Sequence, residues 1–374
     1  MSNKIVLSAN TSWYLYNFRR STIQALNELG YHVVCISPYD VYSQRLINEL
    51  GVEWFPLYML RHSLNPLKDM QLFWQFYKYY KKIKPVACLH FTIKNNVYGS
   101  IAAKLSGSRV INNITGLGTL FIKKNIATNI AMILYKISDR CSDIIFCQNK
   151  TDRDFLIEKS LSSKEKLVLI PGSGVDLKKY HPSKKTPSKN FFRFLYVGRM
   201  LRDKGIVELI DAFNSIDQSR YPSVLYLVGF VDEDSSVSVS KSQIEYWAKE
   251  NPQIIWLGPQ DSMVDVYADC DCVILPSYRE GLPRSLLEAG AMGLPSITTN
   301  VPGCNDIIVD GFNGFLCEVK NTKHLEQKMI ELSSAGTFFL NSIGNNARIN
   351  VEQKYDEQIV IQATIDALKK IETR

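Results

Sequence analysis

The sequence predicts an α/β protein built from two Rossmann-like β/α/β halves, each with a parallel sheet covered on both faces. Three observations carry this. Short apolar runs alternate with segments of helical apolar spacing along most of the chain, the pattern of βαβ units. At 374 residues the chain is long for one core and comfortable for two. The alternation breaks once, at Ile170-Pro-Gly-Ser-Gly174 and the polar, Pro-rich stretch Tyr180–Asn190, and then restarts.

In the first half, Lys4–Ala9 reads as a strand and Phe18–Leu29 as a helix stopped by Gly30. His32–Ser37 is a second strand, Tyr42–Leu50 a helix closed by Gly51, and Glu53–Leu57 a third strand. Pro66–Lys82 is a long helix, since proline suits a first helical turn. Strands at Pro85–Phe91, Arg109–Asn113, Asp143–Gln148 and Leu167–Ile170 follow, with helices Asn96–Leu105, Asn125–Asp139 and Asn149–Glu158 among them. After the linker, strands are expected at Phe191–Gly198, Ser223–Gly229, Gln253–Leu257, Asp271–Leu275 and Pro295–Thr298. Helices are expected near Gly205–Phe213, Lys241–Glu250, Pro283–Met292 and Leu325–Leu332, then before Tyr355 and over Asp356–Ile371. The expected domains are 1–180 and 190–355, with a C-terminal helix at 356–374. Ligands in open α/β sheets bind at the carboxyl ends of strands, so both halves are expected to present loops to a cleft.

Composition is that of an ordinary globular protein, with 45% hydrophobic and 22% charged residues. The opening Met-Ser-Asn-Lys-Ile-Val-Leu lacks the apolar core of a signal peptide. No apolar run reaches the roughly 18 residues of a spanning helix. The eight cysteines are scattered without a CxxC pair, so buried reduced thiols are expected and a metal site is not. Charge is uneven: residues 1–172 carry 22 basic and 11 acidic side chains, against 22 and 26 in the remainder. The first half should therefore meet something anionic, with nucleic acid and an anionic membrane surface as candidates and a plain solvated basic face as the alternative.

Two stretches carry the chemistry. Ser277-Tyr-Arg-Glu-Gly-Leu-Pro-Arg-Ser-Leu-Leu-Glu-Ala-Gly-Ala-Met-Gly-Leu-Pro295 follows an apolar strand and opens a helix, with Glu280 in the turn and Glu288 inside the helix. Gly281 lets backbone approach a ligand, and the helix start favours an anion. Carboxylates on either side suit a ligand that also carries hydroxyls, because they accept hydrogen bonds from sugar OH groups. A phosphorylated sugar fits both. Gly198-Arg-Met-Leu-Arg-Asp-Lys-Gly205 likewise follows a strand and precedes a helix. Its Arg199 offers a fork matched to phosphate and its Lys204 a compact positive point. The competing interpretations are a solvated basic loop, a dipole-stabilised Glu280, and a helix-face pair between Glu288 and Arg284.

These two motifs, followed by Val301-Pro-Gly-Cys-Asn-Asp-Ile-Ile308 and Asp310-Gly-Phe-Asn-Gly-Phe315, resemble in order the retaining glycosyltransferases of family four. Asn10–Arg19, Thr92-Ile-Lys-Asn-Asn-Val-Tyr-Gly99 and Ile114-Thr-Gly-Leu-Gly118 look like the subset that extends undecaprenyl-diphosphate-linked sugars, above all the bacterial α-1,3-N-acetylgalactosaminyltransferases. The resemblance implies the GT-B fold, two Rossmann-like domains facing across a cleft with the C-terminal helix returning to the first. It implies a UDP-sugar donor, a polyprenyl-diphosphate-sugar acceptor, no metal or other cofactor, and no nucleic acid. Carried over, Arg199 and Lys204 grip the donor diphosphate, Glu280 faces the transferred sugar and Glu288 binds the ribose; Glu280, Arg199 and Lys204 are the catalytic set. Gly198, Gly281, Leu282 and Pro283 line the donor. Many members have a Gly-rich turn after the first strand where this chain reads Ser8-Ala-Asn-Thr-Ser12. Many also have a histidine where this chain offers Ile114-Thr115-Gly116, which makes Thr115 and Gly116 the candidates there.

The basic first half should take the acceptor, with Asn17, Arg19, Arg20, Lys94 and Asn96 as candidates for its polar groups. Aromatics mixed with cations in Trp13–Arg20 and Phe73–Lys84 suggest attachment to the inner face of the plasma membrane. Packing of those aromatics in the core is the alternative. Two other functions share the architecture: a UDP-sugar epimerase, and a non-catalytic nucleotide-sugar binding protein.

Overall fold

The computed structural model describes residues 3–60, 65–117, 126–184, 191–233, 235 and 237–373. The chain divides into two compact units, residues 1–173 with 357–374, and residues 174–356.

Unit 1 contains, in order, β1 (Lys4–Ser8), α1 (Ser12–Glu28), β2 (His32–Ser37), α2 (Val41–Leu50), β3 (Glu53–Pro56), α3 (Pro66–Ile83) and β4 (Ala87–Phe91). A π-helical turn (Asn95–Gly99) runs into α4 (Ser100–Leu105), followed by β5 (Arg109–Ile114), α5 (Ile126–Cys141), β6 (Ile144–Cys147), α6 (Lys150–Glu158) and β7 (Leu167–Leu169). Its strands form one parallel sheet in the order β3-β2-β1-β4-β5-β6-β7. Alternation along the strands splits the core. Ile5, Leu7, Leu89 and Phe91 pack with α1 and α2, whereas Val6, Val34 and Cys88 pack with α3 and α4.

Unit 2 contains β8 (Phe192–Val197), α7 (Ile206–Ser215), β9 (Ser223–Val228), α8 (Lys241–Glu250), β10 (Ile254–Gly258), α9 (Met263–Ala268) and β11 (Cys272–Leu275). Then come α10 (Arg284–Ala291), β12 (Ser296–Thr299), β13 (Phe315–Cys317), α11 (Thr322–Ser333) and α12 (Thr337–Lys354). Its sheet is also parallel, in the order β10-β9-β8-β11-β12-β13, over a single large core. In each sheet the strand order reverses beside the first strand, between β1 and β4 and between β8 and β11. These are the switch points where open α/β sheets bind ligands.

The last helix, α13 (Glu357–Glu372), belongs to unit 1. Val360, Ala367, Leu368 and Ile371 join the α1 side of its core, and Ser21 Oγ donates to Glu357 at 2.9 Å.

Several expectations need correction. Gly174–Tyr180, assigned above to the first domain, lies in unit 2, and residues 185–190 of the linker lie outside the described residues. Helix α1 begins at Ser12 rather than Phe18, because Thr11 Oγ1 caps it by accepting from Tyr14 N at 3.0 Å. Pro283 is the N-cap of α10, not part of its first turn. Helix α9 and strand β13 were not anticipated. Along α3, Phe76 and Tyr80 are core residues, and Trp74 alone of the Phe73–Tyr80 aromatics is exposed. All eight cysteines are free thiols and seven are buried, with burial pushing Cys147 and Cys317 up to about 12. Among the described residues no helix is long and apolar enough to cross a membrane.

Candidate active site

The loops leaving β8 and β11 at the switch point of unit 2 are the two motifs singled out above. Gly198 N donates to Val228 O at 3.0 Å, holding the first loop against the neighbouring strand. That loop closes in a 3₁₀ turn (Arg202–Lys204) ending at Gly205, where φ is +70° and a Cβ would stand 2.1 Å from the Pro276 carbonyl oxygen. Only glycine allows the approach. Tyr278 N donates to Asp203 O at 2.9 Å and completes the seam.

The seam brings together side chains 76 positions apart: Lys204 Nζ lies 2.6 Å from Glu280 Oε1, and Ser277 Oγ donates to the same oxygen at 2.7 Å. Both partners are largely sheltered, with side chains 18% and 13% exposed. Beneath Glu280 sits Gly303, with φ +86°; a Cβ there would come within 2.8 Å of the Glu280 carbonyl oxygen. Arg199 reaches solvent, and its Nη1 donates to the buried Asp232 at 2.9 Å. Tyr196 OH donates to the Arg199 carbonyl at 2.8 Å, fixing that turn from below. Gly281 and Leu282 lie between Glu280 and α10, half-buried.

Glu288 faces inward from α10, and the helix-face pair with Arg284 is present: Nε donates to Oε1 at 2.8 Å. Tyr267 OH donates to Oε2 at 3.0 Å. Burial, then the Glu288 charge, hold the Tyr267 and Tyr180 phenols well above their ordinary range. A carboxylate has about four lone-pair positions. Arg284 and Tyr267 each take one, and Tyr180 also hydrogen-bonds this carboxylate.

The unit 1 candidates are not gathered in this way. Asn17 Nδ2 donates to Trp13 O at 3.0 Å on its own helix. Arg19 and Arg20, adjacent in sequence, point about 100° apart. Arg20 pairs with Tyr16 OH at 2.6 Å and with Glu49 at 3.5 Å. Arg19 is buried, stacked on Phe91. Lys94 pairs with Asp69 at 2.6 Å, and Tyr98 OH donates to the other Asp69 oxygen at 2.9 Å. Asn96 Nδ2 donates to Asn113 O at 2.8 Å, while its Oδ1 is buried without a partner. Thr115 and Gly116 follow β5, with Gly116 at φ +131°. Gly118 lies outside the described residues.

Two family profiles match this chain: "Glycosyl transferase 4-like" over residues 4–149 and "Glycosyl transferases group 1" over residues 178–349. The chain is a glycosyltransferase with a 4-like domain followed by a group 1 domain. Among relatives of this glycosyltransferase is the N,N'-diacetylbacillosaminyl-diphospho-undecaprenol alpha-1,3-N-acetylgalactosaminyltransferase of Campylobacter jejuni, 28% identical with 93% of each chain covered. Another is the UDP-Gal:alpha-D-GlcNAc-diphosphoundecaprenol alpha-1,3-galactosyltransferase of Escherichia coli, 24% identical over 83% of this chain and 81% of that one. The fold is shared with sucrose-phosphate synthase of Thermosynechococcus elongatus, at TM-score 0.81, 18% identity and 99% coverage of both chains. It is shared too with Anabaena HepE in complex with UDP-glucose, at TM-score 0.79, 18% identity, and coverage of 98% and 99%. These are GT-B glycosyltransferase structures, in line with the two parallel-sheet domains.

Several residues of the glycosyltransferase's site were missed from sequence. Asp232, Ser277, Tyr267 and Gly303 each touch an anticipated residue. Gly303 had a signal, since it belongs to Val301-Pro-Gly-Cys304, one of the motifs that carried the resemblance. Ser277 had one as well, as the first residue of the Ser277–Pro295 motif, whereas Asp232 and Tyr267 had none.

Proposed function

We propose that this glycosyltransferase retains anomeric configuration and moves a hexose or N-acetylhexosamine from a UDP-sugar to an undecaprenyl-diphosphate-linked sugar, in bacterial glycan assembly, with an α-1,3-N-acetylgalactosaminyl type of reaction. The observation that carries the donor side is the meeting of Lys204 and Glu280 at the unit 2 switch point. Arg199, Lys204 and the Gly198, Gly281 and Leu282 backbone hold the donor diphosphate and sugar, with Pro283 setting the turn. Glu288, oriented by Tyr267 and Arg284, accepts from the ribose hydroxyls. Glu280 faces the sugar. Thr115 and Gly116, after β5, are the remaining donor candidates.

The acceptor hydroxyl attacks on the face the nucleotide leaves, and the departing phosphate takes its proton. Arg199 and Lys204 offset the charge that builds on the leaving oxygen, a contribution of about 10²–10³ in rate for one such donor. The reaction so drawn asks for no metal cofactor, and full activity in chelator is the expected outcome.

Unit 1 takes the acceptor, with Asn17, Lys94 and Asn96 among the polar groups available to it. Its outer face suits the membrane that would carry such a lipid. On α3, Leu67, Met70 and Trp74 are exposed at helical spacing, and on α5 so are Ile130, Ile133 and Ile137. Lys78, Lys81, Lys136 and Arg140 flank them, exposed as well. Apolar side chains beside cations favour an anionic lipid surface, at about 1 kcal/mol per cation. Peripheral attachment to the inner face of the plasma membrane follows from this reading.

A panel of UDP-sugars, each with and without a polyprenyl-diphosphate-linked sugar, tests the proposal. Nucleotide release that requires acceptor supports it. Epimer formation without acceptor, or no turnover with any pair, overturns it.

A further inference from the structure

With Arg193, Arg19 is the largest fully buried side chain among the described residues, 2% exposed, and arginine stays charged in proteins. Its guanidinium lies 4.3 Å from the centroid of Phe91 and 5.9 Å from that of Tyr14. Its one hydrogen bond among the described residues is from Nη2 to Tyr14 OH, at 3.3 Å. Nε is buried with no partner. No carboxylate among the described residues comes within ion-pair distance of it, whereas the other buried arginine, Arg193, has both Asp269 and Asp271 at 2.8 Å. A buried cation without a counter-charge costs several kcal/mol, and proteins hold such charges paired or bound to something.

Its place gives the reason. Phe91 is the last residue of β4, which lies beside β1 at the switch point of unit 1. The chain leaves Phe91 through Thr92, a non-glycine residue at φ +75°. Left-handed backbone at such a residue is strained and concentrates at functional sites. Three residues on, Asn95 is fully buried with an unpartnered Oδ1. A cation lacking its anion stands at the carboxyl end of this strand, and the Asn95 oxygen beside it in sequence, an acceptor, suits a hydroxyl or N–H of a ligand rather than the anion itself.

We propose that this point is an anion subsite in which Arg19 supplies the counter-charge to a diphosphate, with Phe91 and Tyr14 holding the guanidinium plane. The proposal rests on the reading of unit 1 as the acceptor half, whose substrate would carry that diphosphate. A guanidinium takes a phosphate oxygen pair with two parallel N–H groups, and the unsatisfied Nε edge is one of them.

The test uses the full chain saturated with UDP, so that any diphosphate site in unit 2 is already occupied, and inorganic diphosphate as the probe in thermal-shift and calorimetric titrations. Wild type should be stabilised by diphosphate. Arg19→Met should bind it at least about tenfold more weakly, the loss expected for a charged hydrogen bond, yet melt no lower than wild type without the probe. Removing an uncompensated buried charge does not cost stability, while a purely structural arginine would be missed. Should Arg19→Met fail to fold, Arg19→Gln carries the same comparison and Arg19→Lys should bind in between. No shift in wild type, or equal shifts in wild type and both neutral variants, overturns the subsite. Those outcomes are distinct from failure of the transferase reading, which shows as absent turnover with every acceptor.

Discussion

Glu280→Gln removes the charge that neutralises Lys204 while keeping the shape of the side chain and an oxygen for Ser277. Two unit charges about 4 Å apart attract by about 4 kcal/mol at an effective dielectric near 20. The pair is partly open to solvent, 18% and 13% exposed, so screening and the ordering of both side chains leave a net of about 1–2 kcal/mol. A nucleotide diphosphate must compete with Glu280 for Lys204 and sit near the carboxylate's own charge. Freed of both, the variant is expected to bind UDP about 5–30-fold more tightly than wild type. Turnover should fall by at least about 100-fold, because the group facing the sugar has lost its charge. Lys204→Ala should do the opposite to binding, weakening UDP about 10–100-fold. Isothermal titration calorimetry with UDP and a nucleotide-release assay read both quantities. If Glu280→Gln bound UDP no better than wild type, the idea that Glu280 and the donor share Lys204 would fail.

Other perturbations follow from the same geometry. Glu288→Ala should weaken UDP about tenfold but leave a 2′,3′-dideoxy analogue unchanged, which calorimetry compares directly. Gly205→Ala forces a Cβ to 2.1 Å from the Pro276 carbonyl at φ +70°, and about 2–4 kcal/mol of stability should be lost in urea titration. His90 is buried between Tyr80 and Asn112, and burial pulls its pKa down to about 4. Unfolded, it titrates near the ordinary value of about 6.5. Below that pH the unfolded chain takes up a proton the folded one refuses, so stability is complete above about 6.5 and declines toward pH 4, by on the order of 3 kcal/mol. His90→Gln should flatten that part of the pH–stability curve.

The strand–turn–helix form of the two unit 2 motifs was legible because its information is local. A strand, a glycine turn and a helix start lie in one short run, and Glu280 and Lys204 each occupy such a run. That they touch is set by β8 and β11 being neighbours, which no local pattern states. The same holds for Asp232 and Tyr267, each brought to its partner by strand order. The burial of Arg19 was not legible for another reason. The aromatic run Trp13–Phe18 masked the helical phase, and with α1 starting at Ser12 the buried stripe runs Leu15, Tyr16, Arg19, Thr22, Ile23 and Leu26. Arginine holds a core position there, which its residue type does not announce. The π turn at Asn95 has no sequence signature, since one extra residue per turn leaves composition unchanged.

The return of α13 to unit 1 has a bearing on how the chain is made. Unit 2 is an insertion within unit 1, and its entry and exit segments meet at an isolated parallel bridge between Val175 and Asp356, with Val175 N donating to Tyr355 O at 2.9 Å. Domains tend to fold as units while the chain emerges from the ribosome. Here the segment translated before unit 2 cannot finish its core until Val360, Leu368 and Ile371 arrive after it. The sheet of unit 1 must wait, with its α1 side incomplete, while all of unit 2 is synthesised. A stop codon just after Asp356 would therefore injure a unit most of which was made before unit 2.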